Sequence, residues 1–189
     1  MRKPTSFDFH YFDDPEAYGY QGYTRKPYGE RVIEPWERAV SFCEEQRIQT
    51  VVEIGCAKGF LVESLLAAGI EAVGYDISDY ALSFAGHLPC YKHDIRDGLP
   101  VQGEVVIALG VLMYLNEEEV RQVLRQIHRA AEKFFLFSAH YKGTRQEIAD
   151  PLRVITRPLK WWMDSIESSG FEWWGENEYF QAYRSCTLR

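Results

Sequence analysis

The stretch Thr50-Val51-Val52-Glu53-Ile54-Gly55-Cys56-Ala57-Lys58-Gly59-Phe60 constrains the fold of this chain more than any other. An apolar run of strand type reaches a carboxylate and turns through two glycines. It then enters the helical pattern Leu61-Val62-Glu63-Ser64-Leu65-Leu66-Ala67-Ala68. Strand, glycine turn and helix make the first βα unit of a nucleotide-binding α/β sheet. Glycines let the backbone turn sharply and a ligand lie against it, and the free N–H groups at the helix start face that ligand.

The remaining chain supplies the other units. A helix over roughly Pro35 to Gln46, with Trp36, Ala39, Val40 and Cys43 at helical spacing, precedes the first strand. Glu71 to Ile77 reads as the second strand, closed by Asp76, with Ser78 or Asp79 capping the next helix. Pro89 to Ile95 reads as a short third strand ending in an acid. The linker Arg96-Asp97-Gly98-Leu99-Pro100 is too short for a helix, so one crossover is reduced to a loop. Glu104 to Leu109 is a nearly all-apolar fourth strand of the kind covered on both faces. Asn116 and Glu119 form a capping box for a helix with Val120, Val123, Leu124 and Ile127 buried. Lys133 to Ala139 is the fifth strand and residues 140–157 a long polar insertion. A helix over Pro158 to Ser169 follows, then a closing hairpin of Phe171 to Trp174 and Tyr179 to Leu188. The sum is a three-layer α/β sandwich: a mainly parallel seven-stranded sheet with a C-terminal antiparallel hairpin.

Composition narrows the function. The 189 residues suffice for one domain with a full core, and no apolar run approaches a membrane span. The amino terminus has a basic start with no apolar segment behind it, which sets a cytoplasmic location as the expectation. Cys43, Cys56, Cys90 and Cys186 have no close sequence pair, so neither a metal site nor a disulfide framework is expected, and they read as small core residues. A net charge of −7 with dispersed basic residues disfavours nucleic acid as a partner.

The spacing Glu53-x-Gly55-x-x-x-Gly59 is not the dinucleotide G-x-G-x-x-G. It is similar to motif I of the class I S-adenosylmethionine-dependent methyltransferases, with Ala57 where the middle glycine often stands. Over residues 35 to 188 the order of elements resembles the same family, in particular its metal-independent enzymes of sugars, natural products and other small molecules. The resemblance implies S-adenosylmethionine as cofactor and S-adenosylhomocysteine as product. Glu53, Gly55, Cys56, Ala57 and Gly59 would form or anchor the turn. Asp76 would bind the ribose hydroxyls and Asp94 the adenine amino group, between Ile77 and Ile95. Leu109 and Gly110 would meet the methionine portion. Tyr114 stands where the family often has a histidine after the fourth strand.

The segment after that strand lacks the N/D-P-P-Y sequence of amide and adenine-amino methyltransferases, and Leu109 is no ligand for a catechol-type metal. The expected reaction is therefore metal-free methylation of a small polar metabolite, with oxygen as acceptor atom. His140, just past the fifth strand, is the first candidate base, and His10 the second. Tyr114 or Tyr141 would orient the acceptor and Trp161 would wall its pocket. His93 and His128 read as surface residues. Residues 1–34 form an arm dense in aromatics between residues 7 and 28, with glycines, prolines and no period. Such a segment suits a lid that completes the acceptor pocket with Tyr11, Tyr20 or Tyr23, or an extended contact, and residues 35–189 form the domain proper. Protein or RNA methylation, or a catalytically inactive cofactor-binding subunit of an assembly, stand as alternatives. The oligomeric state is left open between monomer and homodimer.

Overall fold

The computed structural model describes residues 6–17, 22–24, 35–141 and 150–186. Tyr18, Tyr20, Tyr28, the Arg25-Lys26 pair, the centre of the polar insertion and the last residues expected in the hairpin lie outside them. In chain order the elements are α1 (Phe9–Phe12), α2 (Pro35–Glu45), β1 (Thr50–Ile54), α3 (Phe60–Ala67), β2 (Glu71–Asp76), α4 (Asp79–Leu82) and β3 (Cys90–Lys92). They continue with β4 (Gly103–Leu109), α5 (Glu117–Ala130), β5 (Ala131–Ser138), α6 (Leu159–Glu167), β6 (Phe171–Glu176) and β7 (Gln181–Ser185).

One seven-stranded sheet carries the order β3-β2-β1-β4-β5-β7-β6. The first five strands are parallel, and β7 enters antiparallel between β5 and β6. Strand order reverses at β1, so the carboxyl ends of β1 and β4 open a crevice where a ligand can settle.

The two-residue period of the strands divides the core. Val52, Ile54, Val106, Ala108, Phe135 and Phe137 face α5 and α6, whose Val123, Leu124, Ile127, Trp162 and Ile166 pack on them. Their neighbours Val51, Val105, Ile107, Phe134 and Leu136 face α2 and α3, against Trp36, Ala39, Cys43, Leu61 and Leu65. Each large aliphatic side chain buried here contributes about 1.5–3 kcal/mol, which is why the two helical layers hold without help from propensity.

The ends of the elements follow local chemistry. Asn116 closes the expected capping box with Glu119, with Asn116 Oδ1 accepting from the Glu119 N–H at 3.0 Å and Glu119 Oε2 from the Asn116 N–H at 2.8 Å. Ser78 caps α4 through the Ala81 N–H at 3.0 Å. The short crossover after β3 is a single 3-10 turn, Ile95–Asp97, capped by Asp94. His128 differs from the surface reading: its Nε2 pairs with the Cys186 carbonyl at 3.0 Å and its ring meets Phe171 edge-on, tying α5 to the hairpin.

Gly74 sits mid-β2 where a Cβ would stand 2.7 Å from Cys56 Cβ and 2.9 Å from Val62 Cγ2. Those atoms belong to the turn and to α3, so they cannot move aside separately. Gly74→Ala is expected to cost about 1–3 kcal/mol by overpacking. Thermal unfolding checks this, with the midpoint falling by about 2–4 °C per kcal/mol, and an unchanged midpoint would refute the tight fit.

Candidate active site

The turn after β1 is built for close approach. Gly55 and Gly59 hold φ of 72° and 77°, and a side chain at Gly55 would run into Val111. Ala57 shares the left-handed region at φ 48°. The alanine thus adopts the conformation its glycine counterpart takes freely, at a cost of about 1–2 kcal/mol. A fixed partner offsets that cost: the Ala57 N–H donates to Asp76 Oδ2 at 2.8 Å.

Asp76 ends β2 and also accepts the Ser78 N–H at 2.8 Å through its other oxygen. Burial pushes its pKa up, and the backbone bonds from Ser78, Ala57 and Ile77 offset that only partly. Beyond β3, Asp94 is held by Arg96, whose Nε lies 2.9 and 3.0 Å from its two oxygens. Those hydrogen bonds hold the Asp94 carboxyl below the usual carboxylate range despite partial burial.

These groups border one open cleft of about 200 Å³. Gly55, Ala57, Asp76, Ile77, Asp94, Ile95, Leu109, Gly110 and Tyr114 line it, as do Ile54, Tyr75, His93 and Val111. His93, a surface residue on the sequence reading, therefore faces the cleft.

The arm forms one wall through Phe7, Tyr11 and Phe12. Asp8 caps α1 by accepting the His10 N–H at 2.9 Å. Asp13 is the main tether: Lys58 Nζ lies 2.8 and 2.7 Å from its oxygens, and the Tyr80 hydroxyl and Tyr23 N–H donate at 2.7 and 3.0 Å. Burial raises the Asp13 pKa, but the bonds from Lys58, Tyr80 and Tyr23 outweigh it and leave it lowered. Ser78 Oγ donates to the Phe7 carbonyl at 2.5 Å.

Other expected residues lie elsewhere. Tyr23 stacks on Phe60 at 5.7 Å and meets Trp36 edge-on, anchoring the arm to α2 and α3 away from the cleft. His10 pairs with Asp14 at 2.7 Å. Tyr141 donates to Gln181 Oε1 at 2.5 Å and packs on the core. Trp161 packs on Trp162 at 4.9 Å with Arg157 over its ring. His140 is half-buried past β5 and is not among the cleft-lining residues.

Glu53, Cys56 and Gly59 are not among the residues that line the cleft. Glu53 points to the α3 side, where the Val62 N–H bonds to its carboxyl, and its Oε2 has no partner among the described residues. Burial, with Cys90 and Asp76 nearby, pushes its pKa well up. Cys56 and Cys90, far apart in sequence, meet over Gly74: Cys90 is its register partner on β3, and the Cys56 thiol bonds to the Cys90 sulfur. That bond, then burial, raises the Cys56 pKa. Only the glycine on β2 could have signalled this pairing. The sequence also gives no sign of Asp150, which accepts from two tyrosines of the site.

Among the described residues no cluster of His, Cys, Asp and Glu could hold a metal ion, and no helix is long and apolar enough to cross a membrane.

Residues 52–133 match the family described as Methyltransferase domain. No curated protein matches the chain at a significant level. Among solved structures, the magnesium protoporphyrin IX methyltransferase of Synechocystis PCC 6803 with bound SAM is similar at TM-score 0.67 and 17% identity, covering 96% of this chain and 98% of that chain. A TehB-like SAM-dependent methyltransferase from Corynebacterium glutamicum follows at 0.62 and 16%, covering 82% and 89%. An O-methyltransferase of a Brevibacillus brevis trans-AT PKS multienzyme, solved with S-adenosylhomocysteine, is similar at 0.59 and 17%, covering 74% and 52%. At these identities the structures speak for the fold. The fold is that of S-adenosylmethionine-dependent methyltransferases, and residues 52–133 carry the methyltransferase-domain match within it.

Glu53 gives a test of this architecture. Its folded pKa is raised, so the folded state keeps a proton that the unfolded chain releases. Stability is then fully present below the ordinary glutamate range and falls as pH rises above it. Glu53→Gln, which needs no proton, should flatten that fall. Unfolding midpoints of both proteins at pH steps from about 5 to 8 check it; parallel curves would mean that Glu53 is ionised in place.

Proposed function

We propose that this protein is a methyltransferase that seats S-adenosylmethionine in the cleft and methylates a hydroxyl of a small polar molecule, releasing S-adenosylhomocysteine. The observation that carries this is the convergence of the left-handed Gly55–Ala57 turn, Asp76 and the Asp94–Ile95 pair on one cleft edge. The donor set fits the cofactor. Asp76 stands on the cleft as a carboxylate acceptor for the ribose hydroxyls, its two oxygens anchored by the Ala57 and Ser78 N–H groups. Asp94, held by Arg96, lines the same cleft and would accept from the adenine amino group, with Ile77 and Ile95 as apolar cover. Where Gly55 excludes a side chain, the backbone near Leu109 and Gly110 would meet the methionine portion.

When bound, the cofactor supplies an electrophilic methyl group on a sulfonium. The chain's own work is then to hold the acceptor oxygen in line, exclude water and take the acceptor's proton. The arm helps to exclude water, because Phe7 and Tyr11 stand as a wall tied down by Asp13 and Lys58. A small acceptor agrees with the acidic net charge, and an O-methyltransferase and a porphyrin methyltransferase stand among the structural relatives.

Calorimetry should detect binding of S-adenosylhomocysteine and none of NAD; tight NAD binding without a response to the former would overturn the proposal. Asp76→Ala is expected to weaken cofactor binding by about 2–4 kcal/mol, as charge-assisted bonds in a partly buried site are lost. Because the Asp76 pKa is raised, wild-type affinity should fall on acidification already above the ordinary aspartate range. Titrations across pH that show the same slope in Asp76→Asn would assign the dependence elsewhere.

The arm makes its own prediction. Lys58→Met leaves Asp13 without its cation and should speed limited proteolysis of the arm by about tenfold, the worth of ~1.5 kcal/mol in a charge-assisted bond. It should raise the acceptor KM while the sheet stays folded. Unchanged cleavage would show that the aromatic contacts alone hold the arm.

A further inference from the structure

At the wall of the cleft three oxygens form a triangle. The Tyr11 and Tyr114 hydroxyls lie 2.5 Å apart, and each contacts Asp150 Oδ2, at 3.0 and 2.7 Å. The triangle joins three distant parts of the chain: the arm, the 3-10 turn Leu112–Tyr114 after β4, and the segment leading to α6. Each corner is fixed independently. Tyr11 is buried, and Phe7 packs edge-on to both tyrosine rings at 5.1 and 4.9 Å. Asp150 Oδ1 accepts the Leu152 N–H at 2.9 Å, and the Val154 and Ile155 N–H groups bind the Met113 carbonyl beside Tyr114.

Counting protons shows what this arrangement can do. Whatever else the two phenols touch, they bring two hydroxyl protons to three oxygen–oxygen contacts, and a carboxylate brings none. At least one contact is therefore short of a proton, and the cluster shares one negative charge over three oxygens. Such a cluster stabilises a third proton offered from the cleft, which Tyr11 and Tyr114 line and Asp150 does not.

We propose that Asp150, acting through Tyr114 and Tyr11, is the proton acceptor for methyl transfer, and that the acceptor is an aromatic hydroxyl. This rests on the methyl-transfer reading given above. In the step, the acceptor oxygen forms a bond to the methyl carbon as the carbon–sulfur bond breaks, and the sulfur keeps that electron pair. The hydroxyl proton passes to a tyrosine oxygen, whose own proton moves to Asp150. The acceptor class follows from acidity. A phenol near pKa ~10 lies within reach of a carboxylate relay, whereas an aliphatic alcohol, close to water in acidity at ~16, does not. The edge-on aromatic wall of Phe7, Tyr11 and Tyr114 also suits a flat ring. Tyr114 touches the acceptor in this scheme; Asp150 acts one oxygen removed.

The test uses the full chain, with 4-methoxyphenol and 4-nitrophenol as probes at about pH 8.5, where the first keeps its proton and the second has lost it. Asp150→Asn should slow transfer to 4-methoxyphenol by about 10²–10⁴-fold and leave 4-nitrophenol within about threefold. Tyr114→Phe should reproduce that split, and it carries the test if the first variant does not fold. In the protein without cofactor, Asp150→Asn should let tyrosine ionise at lower pH, by about one unit in the phenolate absorbance, because a neighbouring charge is gone. S-adenosylhomocysteine affinity of Asp150→Asn should match wild type. Equal losses on both probes, no loss on either, or wild-type protein that binds S-adenosylhomocysteine yet methylates neither phenol would each overturn the inference. Wild-type protein that fails to bind S-adenosylhomocysteine would instead overturn the cofactor reading beneath it.

Discussion

The hydrogen bonds that Asp76 accepts from the Ala57 and Ser78 N–H groups fix the floor of the cleft. One oxygen holds the turn leaving β1 and the other holds the start of α4, so a single carboxylate sets the spacing between the first two βα units. Burial penalises the ionised form of Asp76, and the backbone donors aimed at it work against that penalty. The arrangement also explains why Ala57 is tolerated. Its left-handed backbone aims the N–H at Asp76, and the residue is 6% exposed, its methyl group packed with Tyr11, Phe12 and Ala81 rather than filling the cleft.

Much of this frame is legible because it depends on periodicity and on local turns. Strand alternation, the Asn116–Glu119 box and the glycine turn each encode their geometry within a few residues. What is not legible depends on contacts between remote segments. Nothing near Asp150 announces that it will meet Tyr11 and Tyr114. Nothing near Cys56 announces Cys90, since their meeting needs the empty face of Gly74 between them. His93 escapes notice because a three-residue strand gives too short a pattern to show which face its next residue takes. His140 stands out in the sequence by position alone, at the carboxyl edge of β5, and position does not fix which way a side chain turns.

The arm illustrates the same limit from the other side. Its aromatic content calls for burial, and among the described residues Tyr11 and Phe12 are buried while Phe9 stays exposed. Its lack of period excludes a long element, and four residues of helix are all that Asp8 caps. Which surface it covers is decided by Asp13. A carboxylate bonded to Lys58, Tyr80 and the Tyr23 N–H chooses one docking position among the many that exposed aromatics would accept. Hydrophobic burial supplies most of the attraction, and the ion pair supplies the register.

Four carboxylates in and around the cleft therefore act differently because their surroundings differ. Glu53, deep under α3 with one oxygen unpartnered among the described residues, is driven toward the protonated form and caps the helix that Gly59 cannot cap. Asp13 is held ionised by Lys58 and serves as a tether. Asp76 is partly buried but supplied with backbone donors, which anchor it at the edge of the cleft. Asp150 is bonded chiefly to hydroxyls, donors that can pass protons on where an ammonium or an amide N–H only holds the charge in place. That difference in donor type singles out Asp150 as the carboxylate able to take part in a reaction, although the sequence around it resembles an ordinary polar loop.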